Sequence, residues 1–169
     1  MIKLLHADNF FDPDSLENLV RAGNSLTFVE KEYGLEIDNF NLVPPGLDPI
    51  FSKLLGEEVT VIDELSGVFR KPILNIHFES FETLHDWVFL TALETTTFNL
   101  YNHIEDYGKV NARSALDGYH WNYKNMFEWD VYTNIVLEPN QGVIFKPWLF
   151  HSAVGGLTQI YRLTKSKDK

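Results

Sequence analysis

Three stretches of this chain set a histidine two residues ahead of a carboxylate: His6-Ala7-Asp8, His77-Phe78-Glu79 and His103-Ile104-Glu105. Side chains alternate along a β-strand with a period of two, so each of the three pairs would project from one face of a strand. Joined by one distant histidine, such a pair makes a set of two imidazoles and one carboxylate. That set occupies one face of an octahedral metal such as iron and leaves the other positions open. The spacing alone is weak evidence. With six histidines and 24 acidic residues in 169, about one such pair arises by chance.

A distant histidine stands near the end of the chain. Residues 141 to 164 contain two apolar runs flanking Gly155-Gly156. A Gly-Gly pair between β-type runs predicts a tight hairpin, because such turns need positive φ. In that register Val154 pairs with Leu157, His151 with Ile160 and Leu149 with Arg162. His151 and Arg162 then share a face. A buried arginine requires an anion, and the histidine beside it is a candidate metal ligand.

The elements around these residues favour one carboxylate pair over the others without excluding them. His6 precedes most of the β framework. The run Pro72 to Glu79 alternates: Leu74, Ile76 and Phe78 share one face, and Asn75, His77 and Glu79 share the other. A polar strand face is ordinarily solvated, and becomes a ligand face only where it lines a cavity. His103 and Glu105 lie just past a predicted strand, Thr95 to Tyr101, at the entry to a long stretch from Glu105 to Asp130. That stretch has little periodicity but many aromatics, with His120 among them. Its length suits a binding loop, or a small satellite core beneath one.

Before the β-rich part come two predicted helices. Asp12 caps the first, Pro13 opens it and Gly23 ends it. Asp48 caps the second, Pro49 follows and Gly56 stops it. Short strands are predicted at Ile2 to Leu5, Leu26 to Glu30, Val59 to Ile62, Gly67 to Arg70, Ile73 to Glu79, Trp87 to Leu93, Thr95 to Tyr101 and Val131 to Leu137. A turn follows at Glu138 to Gly142. Short strands separated by turns, with helices to one side, predict a β-sandwich or barrel.

Composition bounds the reading further. The 169 residues suit a single domain with a sizeable core, and 44% of them are hydrophobic. No cysteine is present, which excludes a thiolate metal site, a cysteine nucleophile and a disulfide scaffold. A net charge of −10 disfavours nucleic acid or an anionic membrane as the main partner. No signal peptide or membrane-spanning run is read, so the expected location is cytoplasmic.

The order of features resembles the iron(II)- and 2-oxoglutarate-dependent oxygenases, in their prolyl-hydroxylase-like branch. The resemblance runs over residues 67 to 164: Val68-Phe69-Arg70, His77-Phe78-Glu79, the strand Trp87 to Leu93, the turn Glu138-Pro139-Asn140-Gln141-Gly142 leading into Val143-Ile144-Phe145, then His151 and Arg162. Two departures stand out. Glu79 occupies the place of the usual Asp, and Thr95-Thr96-Thr97 stands where a Gly-Gly pair is common.

The resemblance implies a single domain, 1–169, mainly β with N-terminal helices. A strand-and-helix lead-in over 1–57 would precede a double-stranded β-helix (jelly-roll) core over 58–164. It implies Fe(II) held by His77, Glu79 and His151, with Arg162 pairing the distal carboxylate of 2-oxoglutarate. Dioxygen would be the oxidant and a small molecule or peptide the substrate, in a hydroxylation. His103 with Glu105 remains the other candidate pair. Two further readings stay open: a metal-free jelly-roll module binding a sugar or protein, and a cupin-like metalloprotein that does not use 2-oxoglutarate. Substrate identity and oligomeric state are not legible.

Overall fold

One large sheet with an apolar surface on each side organises the structure. The computed structural model describes residues 4–31, 34–36, 42–72, 76–77, 85–103 and 129–166. In order, the elements are β1 (Leu5–Ala7), α1 (Pro13–Asn24), β2 (Val29–Lys31), β3 (Gly34–Glu36), α2 (Leu47–Leu55), β4 (Val59–Val61) and β5 (Val68–Pro72). They continue with β6 (Trp87–Ala92), β7 (Thr96–His103), β8 (Trp129–Leu137), β9 (Gly142–Phe145), β10 (His151–Gly155) and β11 (Thr158–Lys165). Among the described residues the large sheet runs β1-β9-β6-β11-β5-β3-β2, with β4 also on β11. A smaller sheet, β10-β7-β8, packs against it. This is a mainly β, jelly-roll core with two helices on its outer side.

Alternation along each strand of the large sheet sorts its side chains into two cores. Phe69, Phe89, Tyr161 and Leu163 point outward and meet Leu19 of α1 and Phe51 and Leu55 of α2. Val88, Leu90, Val143, Phe145 and Ile160 point inward and meet Phe98, Leu100 and Ala153 of the small sheet. Phe51 and Phe89 are fully buried, with ring centroids 5.1 Å apart. Burying rings of this size contributes about 1.5–3 kcal/mol each.

Local signals in the helices serve different ends from those expected. Gly23 does not end α1. The helix runs on to Asn24, and Ser25 closes it through hydrogen bonds to Arg21 O and Ala22 O. Gly23 is glycine because the helix rests on the sheet there; a Cβ would lie 2.3 Å from Leu157 Cδ2. Asp48 does not cap α2 either. The helix begins at Leu47 behind Gly46, whose φ of 82° reverses the chain. The Asp48 carboxylate accepts a hydrogen bond from Val61 N–H at 2.9 Å and ties α2 to β4.

The predicted terminal hairpin is not formed. β10 pairs with β7, whereas β11 pairs with β4, β5 and β6. Gly155-Gly156 is a corner where the chain crosses from the small sheet to the large one. A second corner, at Glu94-Thr95, crosses beside it between β6 and β7. The two are stitched together: Leu93 N–H donates to Leu157 O at 2.9 Å, Gly156 N–H to Thr95 O at 3.3 Å, and Leu157 N–H to the Glu94 carboxylate at 2.9 Å. The same glycine freedom serves a hairpin or a corner. Neighbouring strands decide which, and they are remote in sequence.

Candidate functional site

His151 opens β10 on the inner face of the small sheet. It lies opposite Leu100 of β7, and Ala153, two residues on, belongs to the inter-sheet core. The residue is 1% exposed. Its ring packs on Phe145, with centroids 4.6 Å apart, and on Phe98 at 5.8 Å. Ring nitrogen Nδ1 lies 2.9 Å from Leu149 O. A carbonyl oxygen only accepts, so Nδ1 carries the proton and the lone pair of the neutral ring sits on Nε2. An imidazole fixed in this way by a backbone carbonyl is oriented as metal-ligating histidines are.

His77 forms an isolated antiparallel bridge with His151. The two exchange both backbone hydrogen bonds, at 2.9 and 2.8 Å. Residues directly opposite on antiparallel chains share a face. The two rings accordingly meet, with centroids 4.3 Å apart. Ile76 falls on the other side, in a cluster with Tyr101, Trp129 and Phe150. The predicted alternation of Ile76 and His77 is therefore observed. Glu79 lies outside the described residues, as do Glu105, His120 and the aromatic stretch from 104 to 128. Among the described residues no three histidine, aspartate or glutamate side chains converge on one point.

Arg162 sits on β11 between Tyr161 and Leu163, both of the outer core, so it shares the inner face with Ile160. Its strand partner is Val88, which is the partner of Phe145, which in turn packs on His151. The hairpin register had set His151 and Arg162 side by side on one sheet. The fold instead sets them on the facing inner surfaces of two sheets. At Arg162 the neighbour of β11 changes from β5 to β4 across a segment that holds a 3-10 turn, Asp63–Leu65. Ser66 Oγ accepts from Arg162 N–H at 2.8 Å, Ile62 N–H donates to Arg162 O at 2.8 Å, and the guanidinium donates to Leu65 O at 2.6 Å. Ser66 and Leu65 were not singled out in the sequence, where they fall between the predicted strands Val59 to Ile62 and Gly67 to Arg70. Gly67 is required there: its φ is 74°, and a Cβ would lie 2.4 Å from Leu42 O.

His103 is the last residue of β7, opposite Trp129, rather than a residue beyond the strand. It lies three positions past Leu100, the residue facing His151. His6 lies on β1 at the sheet margin, with its ring 3.6 Å from the Asp8 carboxylate and both side chains exposed.

No family model matches the sequence, and no curated protein matches it. Solved structures do match by shape. The non-heme α-ketoglutarate-dependent epimerase SnoN from nogalamycin biosynthesis aligns with a TM-score of 0.63 at 9% identity, over 96% of this chain and 78% of its own. This chain shares its fold. HygX from Streptomyces hygroscopicus, solved with nickel, 2-oxoglutarate and hygromycin B bound, aligns with a TM-score of 0.55 at 10% identity, over 98% of this chain and 84% of its own. No helix among the described residues is long and apolar enough to cross a membrane.

Proposed function

We propose that this protein is an Fe(II)- and 2-oxoglutarate-dependent oxygenase that hydroxylates a small organic or peptide substrate. The observation that carries this reading is the His77–His151 bridge: two imidazoles side by side on an inner face, one of them oriented by Leu149 O. His77 and His151 would hold the metal, with Glu79 as the carboxylate ligand two residues along. Imidazole with carboxylate suits iron, and leaves positions open for a chelating cosubstrate and an oxidant. Arg162, braced by Leu65 O and Ser66, would receive the distal carboxylate of 2-oxoglutarate. A planar guanidinium matches that group with two parallel hydrogen bonds. HygX, solved with nickel and 2-oxoglutarate bound, supports the pairing of this fold with a metal and this cosubstrate.

Fe(II), when bound with 2-oxoglutarate and dioxygen, supplies oxidative decarboxylation to succinate and carbon dioxide, coupled to oxygen insertion into a substrate C–H bond. The chain's own share is orientation and exclusion. Leu149 O holds the His151 tautomer. Phe98 and Phe145 wall the imidazole from water. Ser66 fixes the backbone that carries Arg162.

Anaerobic titration with Fe(II) and then 2-oxoglutarate tests the reading through the visible charge-transfer band of the chelate. A band in the wild type that is lost in His77→Ala is the expected result. No band and no retained iron would leave a metal-free jelly-roll binding module as the account. Iron retained without response to 2-oxoglutarate would favour the cupin-like alternative.

A further inference from the structure

The inner face of β7 continues past the residue that faces His151. Phe98 and Leu100 belong to the inter-sheet core, and Asn102 is next in the same alternation. The intervening residue, Tyr101, points the other way, into the cluster with Ile76, Trp129 and Phe150. The bulge beside Leu100 and Tyr101 leaves this alternation intact, because the extra residue is on β8: Leu100 pairs with Thr133 and Tyr101 with Val131. Asn102 is therefore an amide on the inner wall, diagonal to His151. Diagonal neighbours on a sheet stand roughly 7–8 Å apart.

Asn102 Oδ1 is buried and accepts no hydrogen bond. A buried carbonyl oxygen without a donor is destabilising, and native proteins rarely keep one unless a ligand or water supplies the missing group. The same inner surface carries His151 on the neighbouring strand, with His77 bridged beside it. An amide oxygen accepts from an O–H or N–H donor, and carboxylates such as those of 2-oxoglutarate offer neither at neutral pH.

We propose that Asn102 is a further binding residue of this site, whose Oδ1 accepts a hydrogen bond from an O–H group bound beside His77 and His151. The donor is either a water on the metal or a hydroxyl of the organic substrate. This inference rests on the metal-binding reading for the first source and stands apart from it for the second.

Three measurements on the full chain test it, using Asn102→Leu, which matches the amide in size and removes its polarity. Asn102→Asp, which keeps an acceptor, is the control. First, the melting temperature of the metal-free protein should rise by about 2–4 °C in Asn102→Leu, because an unsatisfied buried group has been removed. Second, Co(II) replaces iron and its visible absorption is followed. If the donor is a metal-bound water, Asn102→Leu should bind Co(II) about tenfold more weakly, or with a stronger band as the coordination number falls, and Asn102→Asp should not. Third, a panel of sugars and aminocyclitols is screened by thermal shift. If the donor is a substrate hydroxyl, any shift seen in the wild type is lost in Asn102→Leu while the Co(II) spectrum is unchanged. A lower melting temperature in Asn102→Leu, or wild-type behaviour in both binding arms, overturns the proposal. A wild type that takes no Co(II) overturns the metal reading, and the melt and the panel then decide Asn102.

Discussion

His151 Nδ1 lies 2.9 Å from the carbonyl oxygen of Leu149, and that single hydrogen bond decides which ring nitrogen can bind a cation. With Nδ1 protonated, Nε2 carries the lone pair on a ring already packed against Phe145 and His77. His151→Ala should weaken Fe(II) binding by about 100-fold or more, since even the loss of an outer partner of a ligand costs 10- to 100-fold. Equilibrium dialysis against Fe(II) under nitrogen measures this directly. Unchanged affinity in a folded variant would remove His151 from the metal site.

Arg162 separates a charge requirement from a geometric one. Its backbone is fixed by Ser66 Oγ and its guanidinium by Leu65 O, so the fork is held before any ligand arrives. Arg162→Lys keeps the charge and loses the fork. A charge-assisted hydrogen bond is worth about 1.5–3 kcal/mol, so the dissociation constant for 2-oxoglutarate should rise roughly 10- to 150-fold. Metal affinity should not move. Isothermal titration of the metal-loaded protein reads both, and equal affinity in the lysine variant would show that Arg162 does not meet the cosubstrate.

Much of the fold is legible in local patterning. The run Phe69, Phe89, Tyr161 on one side and Val88, Leu90, Ile160 on the other follows period two, as expected for strands covered on both faces. The alternation around His77 is equally local. What the sequence does not carry is pairing between distant strands. Gly155-Gly156 signals a reversal of the chain, but only Glu94 and Thr95 make it a corner rather than a hairpin. Asp48 looks like a helix cap because its alternative partner, Val61 N–H, is 13 residues away. The inward position of Asn102 is likewise not legible locally, since nothing in the sequence marks which face of β7 turns inward.

The corner itself makes a stability prediction. A Cβ on Gly156 would lie 2.3 Å from the Glu94 side chain, which is held in place by accepting from Leu157 N–H. Gly156→Ala must displace that carboxylate and strand the Leu157 amide. The expected cost is about 1–3 kcal/mol, read as a lower urea midpoint. The double variant Gly156→Ala with Glu94→Ala should cost less than the sum of the two single changes, because both remove the same contact. Simple additivity would mean the corner absorbs the methyl group elsewhere.

Asn140 ties the N-terminal segment to the turn before β9. Its φ is 71°, a conformation that asparagine tolerates and alanine resists. Its side chain accepts from Phe11 N–H at 2.7 Å and donates to Phe11 O at 2.7 Å. Asn140→Ala loses two buried hydrogen bonds and strains the backbone, at a combined cost of about 2–4 kcal/mol. Asn140→Gly should recover the backbone share, about 1–2 kcal/mol, and not the hydrogen bonds. Chemical denaturation of the two variants separates these contributions, and equal stability would assign the whole effect to the hydrogen bonds.

The buried Tyr161 makes a prediction for alkaline stability. It is fully buried between Phe51 and Phe89, and its hydroxyl makes no hydrogen bond. Burial pushes the phenol well above its ordinary value of 10.0. Burial also raises Tyr101, with the Ser152 hydrogen bond opposing the shift. In the unfolded chain each phenol ionises near pH 10, and in the folded protein it ionises later. The stability that keeping them neutral preserves is therefore complete below pH 10 and falls as pH rises above it, by up to about 1.4 kcal/mol per pH unit for each group. Tyr161→Phe should be within about 1 kcal/mol of the wild type at pH 7, because no hydrogen bond is lost. Above pH 10 the variant should lose stability more slowly. Urea unfolding at pH 7, 10 and 11 tests this, and parallel losses in the two proteins would show that Tyr161 does not resist ionisation.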